Sequence, residues 1–114
     1  MSDEKNAHVI DRLVNAYNLH DARAFADLFT ADASHGNLHA PERQQGREEI
    51  YRHYVDVFSR FPENHSVVVH RIVLGQFVID HERVSRSCDA EPFEVVAIYT
   101  LKAGLIERLD FVRG

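Results

Sequence analysis

His65 to Arg86 reads HSVVVHRIVLGQFVIDHERVSR. Two runs rich in Val and Ile flank Gly75, which allows a tight turn, so the stretch predicts an antiparallel hairpin. Working outward, SCDAEP (87–92) is a loop and Pro92 suits a strand start. FEVVAIYTL (93–101) is a third long strand, KAG (102–104) a hairpin turn, and LIERLDFVRG (105–114) the last strand. The second half is therefore an antiparallel meander. In VVAIYTL and SVVVHRIVL both alternating sets of side chains are apolar. A sheet backed by helices on one side ordinarily shows water a polar face. The outer face here needs a cover, and a second subunit is the simplest, so a homodimer is expected.

The first half has helical spacing. In NAHVIDRLVNAYNLHD, Val9, Ile10, Leu13, Val14 and Tyr17 recur on one side, with Ser2 or Asp3 as the cap. His20-Asp21 breaks this helix, and Asp21 caps a second, ARAFADLF, with Phe25, Leu28 and Phe29 on one side. The polar stretch TADASHGNLHAPERQQG holds at most a short strand near Ala33 to Leu38. After Gly46, REEIYRHYVDVFSRF puts Ile50, Tyr54, Val57, Phe58 and Phe61 on a buried stripe, and Pro62 ends it. Helices followed by a meander give an α+β layout, with helices packed on one face of the sheet.

Composition narrows the function classes. The chain has 114 residues, 45% hydrophobic and 27% charged, which suits one domain. A net charge of −5 without clustered Lys and Arg argues against nucleic acid. No basic amphipathic stretch or long apolar run points to a membrane, and a cytoplasmic protein is expected. Cys88 is the one cysteine, so no internal disulfide can form.

Three segments carry a resemblance: VIDRLVNAYNLHDARAFADLFTADAS, GREEIYRHYVDVFSRFP and IYTLKAGLIERLDFV. With Asn18, Asp21, Leu28-Phe29 and Asp32-Ala33 as its most specific part, the chain resembles the SnoaL-like branch of the nuclear transport factor 2-like superfamily. That superfamily also contains ketosteroid isomerase and limonene epoxide hydrolase. The resemblance implies one domain over residues 1–114. It implies a curved antiparallel sheet wrapped around three N-terminal helices, cone-shaped, with an internal apolar pocket and often a dimer through the convex side.

The resemblance also frames the chemistry. Ketosteroid isomerase uses a carboxylate base with a Tyr and a protonated Asp as oxyanion hole. The matching positions here are Asn37, Leu13 and Ala97 or Tyr99, so that mechanism loses its groups. SnoaL-type cyclases carry an acid/base Asp on the last strand, where IERLD ends in Asp110, and a His on the strand before it. EVVAIYTL has no His, which leaves His81, His35 or His39 to supply an imidazole. A limonene-type hydrolase would draw on Asp110, Glu82 and Arg108 or Arg71.

Within FVIDHERV (77–84), alternation puts Phe77, Ile79, His81 and Arg83 on one face and Val78, Asp80, Glu82 and Val84 on the other. The resemblance favours the first set as pocket-facing, which turns His81 inward and Glu82 outward. His35 and His39 lack a third ligand at helical or hairpin spacing, so no metal is expected, and no cofactor. The expected function is acid/base chemistry of isomerase, cyclase or hydrolase type on a small apolar molecule. Asp110 and His81 would be catalytic, and Tyr17, Asn37, Tyr54 and Tyr99 would bind the ligand. The alternative is a non-catalytic ligand-binding or dimerisation domain.

Overall fold

The computed structural model describes residues 3–114. The elements in chain order are α1 (Asp3–Asn18), α2 (Ala22–Ala26), β1 (Phe29–Asn37), β2 (Arg43–Gln45), α3 (Arg47–Arg60), β3 (His65–Leu74), β4 (Phe77–Ser85), β5 (Phe93–Lys102) and β6 (Leu105–Arg113). The fold is α+β, as the sequence predicts. The sheet has six strands in the order β2-β1-β6-β5-β4-β3. It is mixed rather than wholly antiparallel, because β1 runs parallel to β6.

The predicted stripes face the core, with Val14, Tyr17, Val57 and Phe61 only half-buried. Val9, Ile10, Leu13 and Ala16 of α1 and Ile50, Tyr54 and Phe58 of α3 are buried. Asp3 and Glu4 sit in the first turn of α1, where carboxylates meet the positive end of the helix dipole. Ser2, the other expected cap, lies outside the described residues. The side chain of Asp21 accepts from the Ala24 amide at 3.0 Å and caps α2. That helix stops at Ala26, earlier than expected, and Phe29 opens β1 instead.

The helices lie in the hollow of the sheet. Ile10 and Leu13 from α1, Ile50 from α3, and Phe29, Val78, Ile106 and Leu109 from the strands are fully buried in one core. Register shifts occur in β1, in β3 between Val68 and His70, and in β5 between Thr100 and Leu101. Such bulges bend a strand and increase its twist, which curls the sheet around the helices. Among the described residues no helix is long and apolar enough to cross a membrane.

Candidate ligand cavity

The parity of β4 decides what faces the hollow. Val78, Asp80, Glu82 and Val84 are buried, while Phe77 and Arg83 are exposed. Val78 and Val84 pack inward beneath the helices, and period two carries Asp80 and Glu82 with them. This reverses the expected assignment. His81 lies on the outer face, 40% exposed, and pairs with Glu94.

A cavity of about 290 Å³ opens between the end of β1, α3 and the strands β4, β5 and β6. A smaller niche of about 30 Å³ continues inward to α1. Tyr54, Glu82 and Phe111 line both.

Glu82 is the buried acidic group of this wall. Ser66 donates from Oγ to its Oε1 at 3.0 Å, and the Tyr99 hydroxyl donates to Oε2 at 3.2 Å. Burial pushes its pKa up to about 7, and the negative charge of Asp80, two residues back on the same face, pushes the same way. Asp80 itself is fully buried and held by Arg71, from Nε at 2.6 Å and Nη2 at 2.9 Å. Arg71 also reaches Asp11 of α1 at 2.6 Å, and these hydrogen bonds raise its pKa. Asp80 is therefore a buttress between β3, β4 and α1, and Glu82 is the buried carboxyl facing the cavity, with Glu42 at its exposed edge.

A second polar pair sits across from it. His35 Nδ1 lies 2.7 Å from Gln44 Oε1, and its Nε2 lies 2.6 Å from the Tyr54 hydroxyl. A carbonyl oxygen only accepts, so Nδ1 carries the proton and Nε2 accepts from Tyr54. Burial lowers the His35 pKa to about 4, so the ring is neutral at neutral pH. His53 beside it is shifted down by burial too, and burial raises the Tyr54 phenol well above its ordinary value.

Asn64 joins the inner niche to the cavity mouth. Fully buried, it donates from Nδ2 to the Tyr17 hydroxyl, accepts at Oδ1 from Arg86 at 3.2 Å, and accepts at its carbonyl from the His20 ring at 2.7 Å. Arg86 and Arg113 both line the cavity, and both guanidinium groups lie against the Phe93 ring.

A family model described as the SnoaL-like domain matches residues 10–109. The chain belongs to the SnoaL-like family. Among solved structures it is similar to an uncharacterized cystatin-fold protein from Novosphingobium aromaticivorans, at 28% identity and TM-score 0.88, covering 95% of this chain and 97% of that one. It is similar to a candidate polyketide cyclase from Sinorhizobium meliloti, at 20% identity and TM-score 0.82, covering 98% and 100%. A candidate ketosteroid isomerase from Kribbella flavida matches at 18% identity and TM-score 0.83, covering 97% and 78%. The last two likenesses show the fold alone. No curated protein matches the chain.

Within this SnoaL-like fold, four of the six residues singled out from sequence line the cavity or its niche: Tyr17, Asn37, Tyr54 and Tyr99. Two do not. His81 faces outward, as described. Asp110 faces away from the cavity because its neighbours Leu109 and Phe111 line the wall and β6 alternates. It lies instead 2.8 Å from Arg43 and 2.8 Å from Arg108. Of the other two histidines weighed as imidazole donors, His35 is in the cavity wall and His39 is exposed. Among the described residues no three His, Cys, Asp or Glu side chains are grouped as a metal site requires. Arg86 and Asn64 are the residues sequence reasoning left aside, and Glu82, considered there only for a limonene-type hydrolase, was expected to face outward. The one available signal was that Glu82 shares its parity with Val78 and Val84.

Proposed function

We propose that the cavity binds a small, largely apolar molecule and that Glu82 moves a proton on it. The observation that carries this reading is a buried carboxyl on the cavity wall, fixed by two hydroxyl donors, with a pKa of about 7. Such a group is present both ionised and protonated at neutral pH, so it can take a proton and return it. Tyr17 lines the same niche, and its oxygen accepts from Asn64. Its own proton is then available to polarise a ligand oxygen, while the Tyr54 proton is held by His35. The reaction class is proton transfer of isomerase, cyclase or hydrolase type.

The test needs no knowledge of the natural substrate. A benzisoxazole whose ring opens on proton abstraction reports a general base optically. The expected rate exceeds buffer, rises with pH through about 7, and is lost in Glu82→Gln. Equal rates for the unmodified protein and Glu82→Gln would overturn the reading in favour of a non-catalytic ligand-binding domain.

The same proposal has a second copy covering the outer face of the sheet. Val67, Ile72, Leu74 and Phe77 are exposed there, and Ile72 pairs with Ile79 and Leu74 with Phe77 across the β3–β4 ladder. Exposed apolar side chains grouped in this way support an interface.

A further inference from the structure

We propose that the ligand of this cavity is a monocarboxylate and that Arg86 binds its carboxylate, with Arg113 as a second cation at the mouth. This rests on the cavity being the ligand site, as above, but not on proton transfer by Glu82.

Arg86 is half-buried just after β4. Its guanidinium carbon lies over the Phe61 ring, 4.4 Å from the centroid, and over the Phe93 ring at 5.1 Å. Nη1 donates to the Asn64 side chain, and the guanidinium also interacts with the Tyr17 hydroxyl. A guanidinium has five N–H donors, so donors remain for a ligand. Among the described residues no carboxylate lies within ion-pairing distance of Arg86 or Arg113, whereas the buried arginine-bound acids Asp80 and Asp110 lie on Arg71, Arg43 and Arg108. A cation removed from water between aromatic rings without a counter-ion carries a desolvation cost that a bound anion offsets. The charge also reaches inward, where Arg86 lowers the proton affinity of Tyr17, Tyr54 and His53 against the effect of burial in the two tyrosines and along with it in the histidine.

The rest of the cavity selects among anions. Glu82 and Glu42 also line it, and the chain is net negative, so a polyanion is disfavoured. One planar carboxylate matches the guanidinium fork. Val57, Val84, Val95 and Phe111 form the apolar wall for the body of the molecule, and about 290 Å³ accommodates a compact one.

The test is calorimetric titration with hexanoate and 3-phenylpropanoate, each beside its primary amide, at neutral pH. Each acid is expected to bind at least about tenfold more tightly than its amide, the scale of a hydrogen bond to a charged group. Arg86→Met should abolish that preference and leave amide binding in place. Arg86→Lys keeps the charge but not the fork and should retain part of it. The acid–amide comparison on the unmodified protein stands by itself if a variant does not fold. Acids that bind no better than amides, no binding of either acid at millimolar concentration, or a preference surviving in Arg86→Met would each overturn the proposal. Glu82→Gln should keep the acid preference. If it does while the benzisoxazole rate proves independent of Glu82, the proton-transfer reading fails alone.

Discussion

Arg43 crosses over Gly36 to reach Asp110 at 2.8 Å, on the face of the sheet turned away from the cavity. A Cβ at position 36 would come within 3.0 Å of the Arg43 Cγ, so the glycine makes room for the crossing. The 2.8 Å contact is not aligned as a hydrogen bond, since Oδ1 has no hydrogen-bond partner and Arg43 Nη2 donates to the Leu109 carbonyl at 3.1 Å. Attraction between charges carries the pair, and with both side chains 8% exposed it is little screened. Arg43 also donates to Ser34 Oγ at 2.6 Å and the Asn37 carbonyl at 3.0 Å, tying β2 onto β1 and β6.

Asp110→Asn is therefore expected to lower stability by about 3 kcal/mol, because it leaves a buried guanidinium without its counter-charge. Thermal melts measure this. The benzisoxazole rate should be unchanged, and a large loss of rate with an unchanged melt would return Asp110 to the chemistry.

Glu82 and His35 should pull stability in opposite directions with pH. The folded Glu82 pKa of about 7 lies above its ordinary 4.5, so folding disfavours its charge. Stability is lost as pH rises from about 4.5 to about 7, by roughly 3 kcal/mol in all. The His35 pKa of about 4 lies below 6.5, so stability is lost as pH falls from about 6.5 to about 4, by a similar amount. The two slopes cancel where the windows overlap. Relative to the unmodified protein, Glu82→Gln should gain stability with rising pH, and His35→Gln with falling pH. Urea unfolding across that range is the measurement, and a pH-independent difference for either variant contradicts the assignment.

Asp80→Asn should lower the Glu82 pKa, since it removes a repelling charge and leaves Arg71 as a nearby cation. Carbon NMR titration of the Glu82 carboxyl reads it directly. The variant should also lose about 3 kcal/mol of stability through the broken buried pair, an effect Asp11 tempers by holding Arg71.

The β5–β6 turn offers a stabilising change. Ala103 has φ 52° and Gly104 φ 82°. An alanine in the left-handed region costs roughly 1 kcal/mol, and Asn tolerates it better. Ala103→Asn is expected to raise the urea midpoint by about 0.5–1 kcal/mol equivalent, and a lower midpoint would count against the turn geometry.

Size-exclusion with light scattering should give about twice the chain mass, and Ile72→Lys on the exposed face should give a monomer. A monomer of the unmodified protein at micromolar concentration would remove the dimer.

The element order was legible because each segment has its own period. Val9, Ile10 and Leu13 at helical spacing, and the Val-rich runs around Gly75, need no distant partner to declare themselves. The β1–β2 edge was less so. TADASHGN is polar in composition, and its place in the sheet depends on a parallel pairing with β6 some seventy residues away, which no local pattern reports. β2 is three residues long, too short for a period of two to register.

The sequence by itself determined the division of β4 into two sets of side chains, because a strand alternates by geometry. Only the tertiary structure decided which set faces the helices. Phe77 and Ile79 are as apolar as Val78 and Val84, so hydrophobicity was balanced between the faces. The balance was broken by Arg71, in register with Asp80 and reaching Asp11, which gives a buried carboxylate its counter-charge and turns Glu82 inward with it. The same one-residue parity on β6 sent Asp110 out to Arg43 and left Phe111 in the cavity wall, because what a side chain meets is set by strands and helices far from it in sequence.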